Sequence, residues 1–290
     1  MGAYTESTGN FSGQGNVSLF WHFWTVPQPR GIVVLVHGLG EHGGRYMNLI
    51  DRMKGANVSF CTLDHRGHGL SQGKRGHVEN FMDYIEDVKL LVDMAHSQHP
   101  ELPLIMLGHS MGGAIAARYA LEHTADIDAL ILSAACLILK SAAPGWQDIL
   151  ARVLSRVAPA ATFPNGLSPD DLSHDPQVVK AYVNDPLVHN KISARWYTEM
   201  LNNSQQVFSR ASEFAMPLLV VHGEGDKIVD IAGSERIFKA ARSVDKQYKA
   251  FPGLYHETMN EKQPSQTEVL DVIAGWIMGH LNINNSSREK

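Results

Sequence analysis

The segment Leu104-Ile105-Met106-Leu107-Gly108-His109-Ser110-Met111-Gly112-Gly113 constrains what this chain can fold into more than any other. An apolar run enters a Gly-x-Ser-x-Gly pentapeptide, and the small residues Ala114, Ile115, Ala116 and Ala117 leave it. The pattern reads as a buried strand, a sharp turn and a helix. Such a turn needs glycine because its neighbours come too close for side chains, while the serine at its tip is held in a strained conformation. The hydroxyl is thereby pushed out above a sheet. It lies there near a helix N-terminus, whose unpaired N–H groups favour developing negative charge. The pentapeptide alone does not select the serine, because Gly69-Leu70-Ser71-Gln72-Gly73 fits it too. Six residues separate Leu70 from the strand before it, however, and Lys74-Arg75-Gly76 opens no helix. Context selects Ser110.

Short β-type runs at 17–24, 32–36, 58–63, 104–107, 127–132, 218–221 and 247–251 alternate with helical segments. That alternation implies a mostly parallel sheet with helices on both faces. The run Ile32-Val33-Val34-Leu35-Val36 has no polar alternation, as expected of a strand covered on both sides, whereas 17–24 mixes in Ser18 and His22 like an edge strand. Tyr84, Ile85, Val88 and Leu91 share one helical face, as do Val269, Ile273, Trp276 and Ile277; both faces are expected to pack on the sheet. Between Cys136 and Ser212 the β signals stop. Prolines stand there at 144, 159, 164, 169, 176 and 186, and Ile149, Leu150, Val153, Leu154 and Val157 recur at helical spacing. The expected organisation is therefore a core in two parts, 1–135 and 212–290, interrupted by a helical cap at 136–211. The polar tail 282–290 is expected to fray.

At 290 residues, 44% apolar and 19% charged, the chain fits one large globular domain or one domain with an insertion. Its 25 basic residues against 30 acidic ones give a net charge of −5, and no basic run could follow a phosphate backbone, so no nucleic-acid partner is expected. Cys61 and Cys136 each sit in an apolar stretch and read as buried thiols rather than a disulfide framework. The N-terminus has neither a positive n-region nor an apolar h-region, and Met1-Gly2 lacks the Ser or Thr at position 6 that myristoylation wants. The longest apolar stretch, 129–139, falls far short of the roughly 20 residues a membrane span needs. A cytoplasmic protein is expected.

A serine hydroxyl becomes nucleophilic only when a base takes its proton, and the base must itself be oriented by a carboxylate. Fifteen histidines are available, and chain order discriminates among them: on strand-turn-helix scaffolds of this kind the acid and then the histidine follow the serine, in loops after late strands. After 218–221 comes His222-Gly223-Glu224-Gly225-Asp226-Lys227, and after 247–251 comes Pro252-Gly253-Leu254-Tyr255-His256. Asp226 and His256 are the obvious pair; Glu224 is the rival acid, Asp230 a remoter one, and His222 reads as structural. An oxyanion hole needs aimed N–H donors, each worth about 2.7–4 kcal/mol. Met111, after the nucleophile, supplies one, and Leu39, in the loop His37-Gly38-Leu39-Gly40-Glu41-His42-Gly43-Gly44-Arg45, the other. No metal or cofactor is expected. Asp64-His65-Arg66-Gly67-His68 and His37 with His42 lack ligand spacing on a helix, and His256-Glu257-Thr258-Met259-Asn260 fails H-E-x-x-H at its last position. The 64–69 segment reads instead as a turn that buttresses the site.

These residues, with H-G-L-G-E-H-G-G-R-Y at 37–46, D-H-R-G-H-G-L-S at 64–71, G-H-S-M-G-G-A-I-A at 108–116 and N-D-P-L at 184–187, make the chain resemble the monoacylglycerol lipase and lysophospholipase branch of the α/β-hydrolases over about 31–281. The resemblance implies the α/β-hydrolase fold, Ser110, Asp226 and His256 as triad, Leu39 and Met111 as oxyanion donors, and a lid carrying an acyl tunnel. It further implies that Glu41, Arg45 and Tyr182 hold a glycerol head. One departure stands out. Mammalian members have a second histidine three residues after the catalytic one, where this chain has Met259, and the His-Glu-Thr-Met-Asn-Glu run is closer to bacterial lysophospholipase-like members. The expected function is hydrolysis of monoacylglycerols to fatty acid and glycerol through a Ser110 acyl-enzyme. A lysophospholipase or general carboxylesterase is the alternative, and a non-catalytic ligand-binding homologue the remote one. An amphipathic helix in the insertion can face an acyl chain or a membrane surface, so transient membrane contact is expected. The oligomeric state is left open.

Overall fold

The structure, a computed structural model, describes residues 4–140 and 145–281. Met1-Gly2, Pro144 and the tail 282–290 lie outside the described residues. The strands are β1 (Thr5–Ser12), β2 (Ser18–Thr25), β3 (Ile32–Val36), β4 (Ser59–Leu63), β5 (Leu104–His109), β6 (Ala129–Ser133), β7 (Thr162–Pro164), β8 (Lys191–Ser193), β9 (Leu218–Gly223) and β10 (Lys246–Phe251). The helices are α1 (Met47–Arg52), α2 (Met82–Gln98), α3 (Met111–Glu122), α4 (Gly145–Val157), α5 (Pro176–Asn184), α6 (Ala194–Arg210), α7 (Ile231–Ala240) and α8 (Ser265–His280).

Eight strands form one sheet in the order β1-β2-β4-β3-β5-β6-β9-β10. From β4 to β10 every pairing is parallel, while β1 and β2 are antiparallel additions. Because strand side chains alternate between faces, β3 feeds two core layers. Ile32, Val34 and Val36 pack in one layer with Ile85 and Val88 of α2 and Ile115 of α3. Val33 and Leu35 point the other way, into a layer with Leu49 and Ile50 of α1 and Ile273 and Ile277 of α8. Each such side chain contributes about 1.5–3 kcal/mol by leaving water. The expected helical faces, Tyr84 to Leu91 and Val269 to Ile277, are the buried ones.

Two expectations are corrected. The edge strand is β1, not β2: β2 is bonded on one side to β1 and on the other to β4, with Trp21 opposite both Gly9 and Leu63. β1, Thr-Glu-Ser-Thr-Gly-Asn-Phe-Ser, is largely exposed and is held by backbone pairing, so it carries no apolar alternation to read. The mixed character of β2 reflects two half-buried faces rather than an open edge. The 136–211 segment is also not free of β structure, since β7 and β8 pair as an antiparallel ribbon with Phe163 opposite Ile192. Three-residue strands are too short to show a period.

Within that segment α6 is integral to one core layer. Its Trp196, Met200 and Val207 are buried among α3 residues, and Asn203 donates to the Ala114 carbonyl at 3.3 Å. Cys61 and Cys136 are both buried and unbridged, and burial pushes the Cys136 thiol up to about 12. Among the described residues no helix is long and apolar enough to cross a membrane.

Candidate active site

The turn between β5 and α3 puts Ser110 at φ 53°, ψ −120°, a region that non-glycine residues seldom occupy. Three backbone hydrogen bonds fix it there: Ser110 N–H donates to the Ser133 carbonyl (3.0 Å), and the Ser110 carbonyl accepts from Cys136 (2.8 Å) and Ala114 (3.2 Å). The flanking glycines are required by close approach. A Cβ on Gly112 would lie 2.0 Å from the Val36 carbonyl oxygen, and one on Gly108 2.3 Å from that of Gly112.

The loop after β10 brings His256 Nε2 to 2.9 Å from Ser110 Oγ, and the loop after β9 brings Asp226 Oδ2 to 2.7 Å from His256 Nδ1. With Nδ1 protonated and donating to the carboxylate, Nε2 is free to accept the serine proton. Asp226 Oδ1 accepts the N–H groups of Ile228 (2.8 Å) and Val229 (2.9 Å), and His222 Nε2 lies 3.2 Å from Oδ2. Burial favours the neutral acid, but His256, His222 and these N–H groups override it and hold Asp226 far below the usual carboxylate range. For His256 burial favours the neutral ring, yet Asp226 with its hydrogen bond, then Glu257 and Glu41, raise it above its ordinary value.

The rivals go elsewhere. Glu224 is exposed, and Asp230 caps α7, its Oδ1 accepting from Ala232 N–H at 2.9 Å. His222 is buried against Ser234 Oγ as well as Asp226. In the second pentapeptide, Ser71 is buried, donates to the Asp64 carbonyl and accepts from Phe20 N–H. Asp64 accepts from Gly43 N–H (2.9 Å) and Leu70 N–H (2.8 Å), so the 64–69 turn does brace the loop after β3. His37, His65 and His68 are fully buried, and burial pushes all three down toward neutral, packed rings.

Ser110 and His256 stand at the wall of a cavity of about 750 Å³, together with Leu39 and Met111. Most of its lining is apolar, including Leu139, Leu150, Leu154, Leu167, Leu172 and Ile192. One part is charged. There Arg45 Nη1 donates to Glu41 (2.6 Å) and Glu257 (2.6 Å), Nη2 donates to Glu257 (2.8 Å), and the Tyr182 ring lies 4.8 Å from the guanidinium. Glu41 also accepts from Gly38 N–H (2.6 Å) and Tyr46 OH (2.8 Å), tying this cluster to the Leu39 loop. Burial would raise the Glu41 carboxyl, but Arg45, then His109 and His37, hold it at about 2.

Glu257 and His109 are the residues that sequence reasoning missed. Glu257 follows His256 directly and was legible only as part of a failed metal motif; no spacing rule links it to Arg45, 212 positions away. The His109 ring lies 4.8 Å from that of His256, and burial together with His256 pushes it down to about 4. Met259 is buried with the layer that contains α1 and α8.

A serine, histidine and carboxylate in hydrogen-bonded line at a strand-to-helix turn of a mostly parallel sheet define an α/β-hydrolase. The family model described as serine aminopeptidase, S33, matches residues 27–263. A monoacylglycerol lipase from Mycolicibacterium smegmatis is 40% identical over 283 residues, 97% of this chain and 100% of the relative. The phospholipase YtpA of Bacillus subtilis is 33% identical, covering 83% of this chain and 93% of its own. The crystal structure of a Paleococcus ferrophilus monoacylglycerol lipase superposes with a TM-score of 0.83 at 34% identity, covering 90% of this chain and 99% of that one. The chain belongs to the serine aminopeptidase S33 family; it is an α/β-hydrolase related to monoacylglycerol lipases, as the resemblance at 37–46 and 108–116 implied.

Proposed function

We propose that this protein is a carboxylic ester hydrolase that cleaves monoacylglycerols to fatty acid and glycerol, with Ser110, His256 and Asp226 as its triad. The observation that carries this reading is the Ser110–His256–Asp226 line opening into a largely apolar cavity of about 750 Å³. The Mycolicibacterium and Paleococcus relatives, both named monoacylglycerol lipases, support it. His256 takes the Ser110 proton as Oγ attacks the ester carbonyl, and the N–H groups of Leu39 and Met111 receive the oxyanion. The imidazolium then protonates the departing glycerol oxygen, and water releases the acyl group with His256 acting as base again. Glu41, Arg45 and Tyr182 form the head-group end. The acyl chain lies along the apolar lining, each buried CH₂ contributing about 0.8 kcal/mol.

In this reading residues 136–211 serve as the cap over the site, and α4 makes transient, peripheral contact with a lipid surface. Its Trp146, Ile149, Leu150, Val153 and Val157 are exposed at helical spacing while Leu150 and Leu154 also line the cavity. A lysophospholipase is the second reading, supported by a Bacillus relative that is named a phospholipase. The test compares wild type and Ser110→Ala on monoacylglycerols, lysophosphatidylcholine and p-nitrophenyl esters of graded length, with a fluorophosphonate label on folded protein. Labelling at Ser110 and loss of ester turnover in the variant are expected. Most activity surviving in Ser110→Ala, or a decisive preference for acetate esters, would overturn the assignment.

A further inference from the structure

We propose that Glu257 is a specificity-determining residue: it gives the head-group end of the cavity a net negative charge and so excludes esters that carry a phosphate on their glycerol. The inference rests on the acylglycerol reading above and deepens it. Among the described residues, five charged side chains other than histidine line the cavity. Lys227 pairs with Asp171 at 3.2 Å, which leaves the two carboxylates of Glu41 and Glu257 against the single guanidinium of Arg45. Both glutamates are buried, so their charge is weakly screened.

Arg45 alone would invite a phosphate, because its planar fork matches phosphate oxygens. Here the fork is occupied. Of its five N–H donors, both on Nη1 and one on Nη2 are committed to Glu41 and Glu257, and the Tyr182 ring flanks the guanidinium. A phosphate reaching for this arginine must compete with carboxylate oxygens already on it. Glu41 cannot be the adjustable partner, since its other oxygen holds Gly38 N–H beside the oxyanion loop. Glu257 is fixed independently, with its N–H on the Leu172 carbonyl (2.8 Å) and Oε2 accepting from Asn260 Nδ2 (2.9 Å). A neutral glycerol head brings only hydroxyls, which can donate to these carboxylates.

The experiment uses hexanoyl esters, monomeric in solution, of glycerol, glycerol 3-phosphate and glycerophosphocholine, with p-nitrophenyl butyrate as a substrate lacking that head. Wild type and the variants Glu257→Gln and Glu257→Asp are compared by kcat/KM. Wild type should favour the glycerol ester over the phosphate ester by about tenfold or more, and Glu257→Gln should close most of that gap by raising the phosphate ester rate. Glu257→Asp keeps the charge and should keep the preference. A common loss on all substrates in Glu257→Gln, an equal loss of preference in Glu257→Asp, or a wild type that takes the phosphate ester as readily as the glycerol ester would each overturn the inference. The wild-type ratio needs no variant, so it can overturn the inference even where Glu257→Gln fails to fold. Failure of the acylglycerol reading looks different: hydrolysis of p-nitrophenyl butyrate without hydrolysis of hexanoylglycerol.

Discussion

In the proposed mechanism His256 must be neutral to receive the Ser110 proton across 2.9 Å, so the pH at which it charges sets the acid limit of turnover. Asp226, Glu257 and Glu41 raise that pKa above the ordinary value of 6.5. As pH falls through the raised value the ring protonates and the base is lost, so kcat/KM should decline along an acid limb whose midpoint lies above 6.5, measurable as a pH–rate profile on a soluble ester. Asp226→Asn keeps an oxygen for the Ile228 and Val229 N–H groups but turns an amide toward His256 Nδ1, favouring the wrong tautomer. A fall in kcat of about 10⁴ with little change in thermal stability is expected. Ser110, Asp226 and His256 were legible because chain order and strand ends give each a place. Glu257 and His109 were not, because what recruits them is a charge and a ring face across the fold.

The turn from β5 to α3 leaves no room for a side chain at Gly112. Gly112→Ala would press a methyl group against the Val36 and His37 carbonyls at 2.0 and 2.4 Å. The expected cost is about 1–3 kcal/mol or more, seen as a lower Tm, with a fall in kcat because the moved backbone carries the Leu39 loop. Helix α4 shows the opposite condition. Ile149 is 65% and Val153 51% exposed, so changing both to Ser should alter stability by about 0.5 kcal/mol or less. The same pair should lower binding to lipid vesicles by about tenfold or more, measurable by co-sedimentation, because each apolar side chain forfeits about 1.5–3 kcal/mol of burial there. Period marked the long elements plainly, as Tyr84, Ile85, Val88 and Leu91 in α2 illustrate. It failed for β1, whose polar side chains face water on an edge, and for β7 and β8, where pairing spans three residues.

Across the whole molecule the net charge of −5 opposes approach to an anionic surface, so vesicle association should weaken as anionic lipid is added and recover as salt rises, the mark of apolar rather than electrostatic docking. The sheet order was not legible strand by strand, since pairing is a property of distant segments; what the sequence carried was the alternation that makes such a sheet the natural solution. One feature of that order reaches further. β6 and β9 are neighbours in the sheet although residues 134–217 run between them. The long excursion therefore departs and returns at adjacent positions, and its length places no demand on the strands it interrupts. Trp196, Met200 and Val207 of α6, together with Leu172, bind it into the layer beneath. Ser110, Asp226 and His256 all lie outside the excursion, so the sheet positions the reacting groups while the excursion supplies Leu150, Leu154, Leu167 and Ile192 to the wall against which a substrate would lie.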